Sequence, residues 1–186
     1  DNEAYPILQI KDITDQLHQV INAKTDTTTD DFRNLEKMVT TDYLTGLSNR
    51  YKIDDIISSE IKRANLFHST FSIVLMDINK FKELNDTMGH LVGDTYLQKI
   101  AKVLQHYTRD TDLAGRWGGD EFVLVLPETN MYQTGQFCNR IRKGLKEELK
   151  EEITLSYGVS TFIKGDTVKS IFNRADNNLY KNKNKV

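Results

Sequence analysis

"GRWGGDEFVLVLP", residues 115–127, sets two glycines and two acids between what read as two buried strands. Paired glycines joining two such runs read as a β-hairpin, because glycine supplies the positive φ of a tight turn without steric cost. Asp120 and Glu121 fit that turn poorly, since like charges repel there and no helix end compensates them. Two readings follow: a plain connection between strands, or a turn that presents carboxylates to a ligand.

Outward from the hairpin, "TFSIVLMDI" (70–78) is a continuous run expected of a central strand covered on both faces. Residues 51–67, 92–108, 131–149 and 167–183 carry apolar positions at helical spacing, and 153–163 reads as another strand. Strands interleaved with helices, one connection being a hairpin, predict an α/β (α+β) fold: a mixed central sheet with antiparallel pairs, flanked by helices, rather than a doubly wound parallel sheet. Upstream, 5–14 reads as a short strand entering a helix, and the threonine-rich stretch 25–31 caps a second helix from about Asp30 through Met38. This front part is too small to fold alone. The expected division is 1–40 as a linker region and 41–186 as the domain.

Composition narrows the function. The chain has 186 residues, 38% hydrophobic and 28% charged, with a formal net charge of -2. That charge gives no basic face for DNA or RNA, so an anionic ligand must be held by a local site. Cys138 is the single cysteine, which removes a disulfide framework and favours a reducing, cytoplasmic setting. No apolar run approaches the length a bilayer requires, and the acidic start is unlike a signal peptide; an anchor elsewhere in a longer parent protein stays compatible with this.

Asp77 ends the central run. A carboxylate there is costly unless a cation or donor pairs with it. Asp120 could join it if the hairpin packs beside that strand, and two carboxylates with a backbone carbonyl are hard oxygen ligands suited to Mg²⁺ and phosphate. The alternative is a helix cap, or an ion pair with a lysine such as Lys80.

At this point the motifs carry a resemblance. "RWGGDEF" (116–122) is similar to the signature of GGDEF-domain diguanylate cyclases, bacterial enzymes that condense two GTP into cyclic di-GMP. "DYLTGLSNR" (42–50), "DINKFKELND" (77–86), "GHLVGD" (89–94) and "RADNNLYKNK" (174–183) resemble the family's other segments, in order. Ordered agreement over about 41–186 is far more specific than any one motif. The resemblance implies a domain like the palm of class III nucleotidyl cyclases, acting as a homodimer because each domain holds one GTP.

Residue by residue, it implies metal ligation by Asp77, the carbonyl of Ile78 and Asp120, with Mg²⁺ the expected ion and Mn²⁺ the alternative; Glu121 is the second acid needed for turnover. Gly118 and Gly119 would let the nucleotide approach the backbone. Guanine contacts fall on Asn85 and Asp94, and a carboxylate accepting from guanine N1–H would face a lone pair in adenine, so GTP is the expected substrate. Read without the family, Asn85 and Asp94 are better taken as helix caps. Phosphate contacts fall on the amides of Phe81 and Lys82 and on Lys183. The family's next arginine would be position 187, one past Val186, which predicts a weaker triphosphate clamp. Asn79 stands where many members have an acid, and Asn182 where many have alanine.

"RDTD" (109–112) matches the family's RxxD product-inhibition motif, with Arg109 and Asp112 as ligands for cyclic di-GMP and Arg140 aligned with an arginine that members use from a neighbouring domain. Its plain reading is a solvated loop. "ILQIKDITDQ" (7–16) resembles the last strand and exit of a PAS sensor domain. The rival for the whole chain is a receptor module that binds GTP or cyclic di-GMP without turnover.

Overall fold

A computed structural model describes residues 36–150 and 153–183. The chain divides into two compact units, Asp1–Thr41 and Asp42–Val186. In the first, residues 36–40 are helical, and the Thr41 amide donates to the Lys37 carbonyl at 3.0 Å. The expectations of a short strand in 5–14, a helix over 12–24, a PAS-like exit and a helix start near Asp30 lie outside the described residues.

The second unit runs α1 (Arg50–Phe67), β1 (Phe71–Ile78), α2 (Phe81–Met88), α3 (His90–Tyr107), β2 (Leu113–Gly118), β3 (Glu121–Pro127), α4 (Met131–Leu149), β4 (Leu155–Thr161) and α5 (Val168–Lys183). The sheet order is β2-β3-β1-β4. Every ladder in it is antiparallel, and the parallel component is confined to an isolated bridge between Ser48 and Gly115. The expected antiparallel pairs are present; β1 and β2 run parallel but are separated by β3, which the hairpin folds back between them.

All eight residues of β1 are buried, as its unbroken apolar run requires. Their side chains alternate between two cores. Val74, Met76 and Ile78 pack with Phe122 and Leu124 against α3 and α4, whereas Phe71, Ile73 and Leu75 pack with Val123 and Val125 against α1 and α5. Cys138 lies in the first core, and burial pushes its thiol up to about 11, so it is an inert packing group.

Two helix ends show local causes. Asn130 caps α4 by accepting from the Gln133 amide at 3.0 Å while the Gln133 side chain accepts from the Asn130 amide at 2.9 Å, a complete capping box. α2 is absent from the sequence expectation. It is eight residues long, buries none of them, and starts at Lys80 in a left-handed conformation (φ 58°) with no side-chain cap.

β4 is an edge strand, and α5 closes that edge. Arg174 Nη2, Asn178 Nδ2 and Asn182 Nδ2, four residues apart on one helical face, donate to the carbonyls of Thr161 (2.9 Å), Val159 (2.9 Å) and Tyr157 (2.7 Å). Spacing of four on the helix thus matches spacing of two on the strand, and carbonyls that would invite another chain are satisfied internally. Gly158 makes the approach possible: a Cβ there would lie 2.1 Å from the Ala175 carbonyl oxygen. Asn182, the departure from the family's usual alanine, is the last rung of this series. Among the described residues no helix is long and apolar enough to cross a membrane.

Candidate active site

Asp77 has the parity of Phe71, Ile73 and Leu75, so its side chain faces α5. Its Cα partner across the sheet is Glu121, the first residue of β3. Asp120 occupies the turn with Gly119, which takes φ 52°, and the Asp120 carbonyl accepts from the Ile78 amide at 3.3 Å. Asp77, Ile78, Asp120 and Glu121 therefore meet at one strand end. Lys183, the last residue of α5, places Nζ 2.6 Å from Asp77 Oδ1. The expected alternative for Asp77, a pair with Lys80, is not formed; Lys80 lies 3.7 Å from Glu83.

The cluster carries surplus negative charge. Burial raises the Asp77 carboxyl above its ordinary value; the Lys183 hydrogen bond opposes this and the Asp120 charge adds to it. Glu121 is raised first by burial and then by the charges of Asp77 and Asp120, with Lys183 opposing. One ammonium for three carboxylates leaves a site that a dication would relieve. The donors fit a hard ion: carboxylate oxygens from Asp77 and Asp120 and the carbonyl of Ile78. Among the described residues no group of three or more His, Cys, Asp or Glu could hold a metal ion, so these two carboxylates and a carbonyl would need phosphate or water oxygens to complete a shell, as Mg²⁺ commonly does.

The turn is held by two residues that sequence reasoning did not single out. Arg116 donates from Nε (3.0 Å) and Nη2 (2.8 Å) to the Gly119 carbonyl, and its Nη1 lies 3.3 Å from Asp42 Oδ1. Asp42 in turn accepts from the Thr45 amide at 2.9 Å and hydroxyl at 2.6 Å. Both residues sit inside the quoted motifs "DYLTGLSNR" and "RWGGDEF"; the signal was their co-occurrence. A Cβ at Gly118 or Gly119 would meet nothing within 4 Å, so the space beside the turn is open to a ligand.

Beyond β1, Asn79 donates to Thr154 Oγ1 (2.9 Å) and accepts from Ser156 Oγ (2.7 Å), which ties the strand end to β4. Phe81 and Lys82 open α2, whose first amides lack a side-chain cap. Asn85 lies within α2 and Asp94 within α3; the caps are Lys80 and Gly89, so the capping alternative for both residues fails. Asn85 Oδ1 is buried and has no hydrogen-bond partner.

Arg109 and Asp112 are brought together away from this cluster in sequence. Asp112 Oδ2 accepts from the Arg109 amide at 2.9 Å and lies 3.6 Å from Arg109 Nε. The Asp112 side chain is 0% exposed, unlike a solvated loop carboxylate, and its Oδ1 has no donor. Arg109 is 57% exposed. Arg140, on α4, has its guanidinium 5.5 Å from the Phe137 ring centroid.

Comparison with known proteins agrees with this geometry. Residues 39–186 match the family described as diguanylate cyclase, GGDEF domain. The chain is 35% identical over 159 residues to diguanylate cyclase A of Treponema denticola, covering 80% of this chain and 43% of that protein. It is 37% identical over 158 residues to the response regulator PleD of Caulobacter vibrioides, covering 79% and 34% respectively. It therefore spans less than half the length of these curated relatives. Among solved structures, the GGDEF domain of DgcB from Caulobacter crescentus, in complex with c-di-GMP, superposes with a TM-score of 0.74 at 30% identity, over 78% of this chain and 88% of that one. With strand order, acid-bearing hairpin and family match in agreement, the chain belongs to the GGDEF family of diguanylate cyclase domains.

Proposed function

We propose that residues 41–186 are the catalytic domain of a diguanylate cyclase, condensing two GTP into cyclic di-GMP with release of two pyrophosphates, in the cytoplasm. Residues 1–40 would be the end of a sensor and its helical linker. The observation that carries the reading is the meeting of Asp77, Asp120, Glu121 and Lys183 at one strand end.

Each condensation joins a 3′-hydroxyl oxygen to an α-phosphorus, breaks the bond to the β-phosphate, and releases a proton. Bound Mg²⁺, held by Asp77, Asp120 and the Ile78 carbonyl, would supply charge stabilisation for the phosphates. Glu121, made more basic by burial and by its acidic neighbours, would take the hydroxyl proton. Lys183 offers a point charge to a phosphate once released from Asp77, and the amides of Phe81 and Lys82 add donors at an uncapped helix start. Gly118 and Gly119 leave the turn open to the nucleotide, and Asn85 and Asp94 present acceptors to guanine.

One domain holds one GTP, so two domains face each other and each hydroxyl attacks the partner's nucleotide. Cyclic di-GMP binding at Arg109 and Asp112, with Arg140 from a neighbouring domain, would hold the pair apart. The test is turnover of nucleotide-stripped protein with GTP and Mg²⁺, following pyrophosphate and cyclic dinucleotide by chromatography. Product from the wild type and none from Asp77→Ala is the expected result. Tight cyclic di-GMP binding with no turnover, even after forced dimerisation, would replace this reading with that of a receptor.

A further inference from the structure

Gly93 lies in the first turn of α3 and is buried. Glycine inside a helix is destabilising relative to alanine, so its presence there asks for a reason of space. The reason is Asn85. A Cβ at position 93 would sit 2.0 Å from Asn85 Oδ1, 3.0 Å from Asn85 Cγ and 3.1 Å from Phe81 Cζ. The first distance is far inside any contact, and the amide would have to leave.

We infer that Gly93 is a specificity-determining residue for this domain: it leaves room for the Asn85 carboxamide, which lies against the residue preceding Asp94, and so sets an acceptor where guanine's donors are selected. This rests on Asn85 and Asp94 being the base contacts. Asn85 Oδ1 has no donor, although a buried acceptor without one is costly. Guanine offers two donor groups on one edge, N1–H and the 2-amino group; Asp94 and the Asn85 carbonyl are two acceptors. Hypoxanthine keeps N1–H and lacks the amino group, so it reads the second acceptor separately. Gly93 does not touch the base. It is a positioning residue acting through Asn85.

The experiment is a double-mutant cycle on the full chain, Gly93→Ala, Asn85→Ala and both together. The readouts are calorimetric binding of the α,β-methylene analogues of GTP and ITP, and the thermal midpoint. The wild type is expected to prefer the guanosine analogue by about tenfold, roughly the worth of one hydrogen bond to a buried acceptor. Gly93→Ala should lose most of that preference, and the double variant should match Asn85→Ala alone. Additive losses in the double variant would overturn the inference, as would full preference in Gly93→Ala beside its loss in Asn85→Ala. Unchanged preference in Asn85→Ala would instead sink the assignment of the base site, and the role of Gly93 with it. Should Gly93→Ala fail to fold, the double variant decides. Without the Asn85 amide the two nearest obstacles are gone and Phe81 Cζ at 3.1 Å remains, so the double variant should fold, and one that does not would show that Asn85 was not the obstacle.

Discussion

Two buried aspartates in this domain are provided for in opposite ways. Asp77 has a neutralising ammonium at 2.6 Å and two further acids nearby. Asp112 has one oxygen held by the Arg109 amide and the other without a donor, under an arginine that is mostly exposed. The first site is short of positive charge, whereas the second is short of one donor. A charge deficit is met by a metal ion, and a donor deficit by a base edge or an N–H group. Under the proposed function these unmet needs go with different ligands for the two carboxylates, a metal ion at Asp77 and a guanine edge at Asp112.

The largest effect expected comes from removing charge at the first and keeping shape at the second. Asp77→Asn should lower turnover by at least about a thousandfold, since metal-held charge supplies most of the stabilisation of phosphoryl transfer. Asp112→Asn should leave initial turnover within about twofold and weaken inhibition by cyclic di-GMP at least about tenfold. Initial rates across a series of added product check both. Equal loss of turnover in the two variants would break the distinction.

A smaller effect sharpens why Lys183 reaches Asp77 at all. α5 lies against β4 at Gly158, where a methyl would press on the backbone carbonyl of Ala175 and the amide of Leu179. Backbone cannot rotate aside as a side chain can, so Gly158→Ala should cost about 2–3 kcal/mol of stability, measured by urea unfolding. It should also reduce turnover in protein that remains folded, because the last turn of the helix carries the lysine. Full activity with normal stability would show that the helix is positioned from elsewhere.

Much of this was legible in the sequence, for a physical reason in each case. β1 and β3 announce themselves because their apolar runs are continuous and the glycines mark the turn, whereas β2, expected to be buried like β3, buries only Gly115. α4 is legible to the residue because its amphipathic face is long. α2 goes unread because it is only eight residues long and its cap is a left-handed lysine, although Phe81 and Leu84 pack part of their surface against the core. The Asp77–Glu121 register is a pairing across 44 positions of sequence that no local pattern encodes, although the motifs imply that the two meet. Nothing in the sequence indicates what Arg174, Asn178 and Asn182 do: each is spent on a carbonyl of the edge strand. Polar residues at helical spacing look the same whether they face water or an unpaired strand.

The smallest effect belongs to the far end of that same seam. Asp166 is 7% exposed, and burial by itself would raise its carboxyl; hydrogen bonds from Arg174, the Ile163 amide and Ser170 outweigh this and hold it below its ordinary 3.8. Arg174 reaches both carboxylate oxygens, at 3.0 and 2.6 Å, and also donates to Ser160 Oγ at 2.8 Å. A carboxyl whose folded pKa is depressed contributes stability that is whole above its unfolded value and vanishes as pH falls through the folded one. Asp166→Asn should therefore be less stable than the wild type by about 1.5 kcal/mol at neutral pH, and the two should converge as pH drops below 3.8. Urea midpoints from pH 7 to about pH 3 test the sign. A gap that persists unchanged into acid would mean that the aspartate acts by shape and not by charge, and would leave the Asn182 and Asn178 rungs as the main fastening of α5 to the sheet.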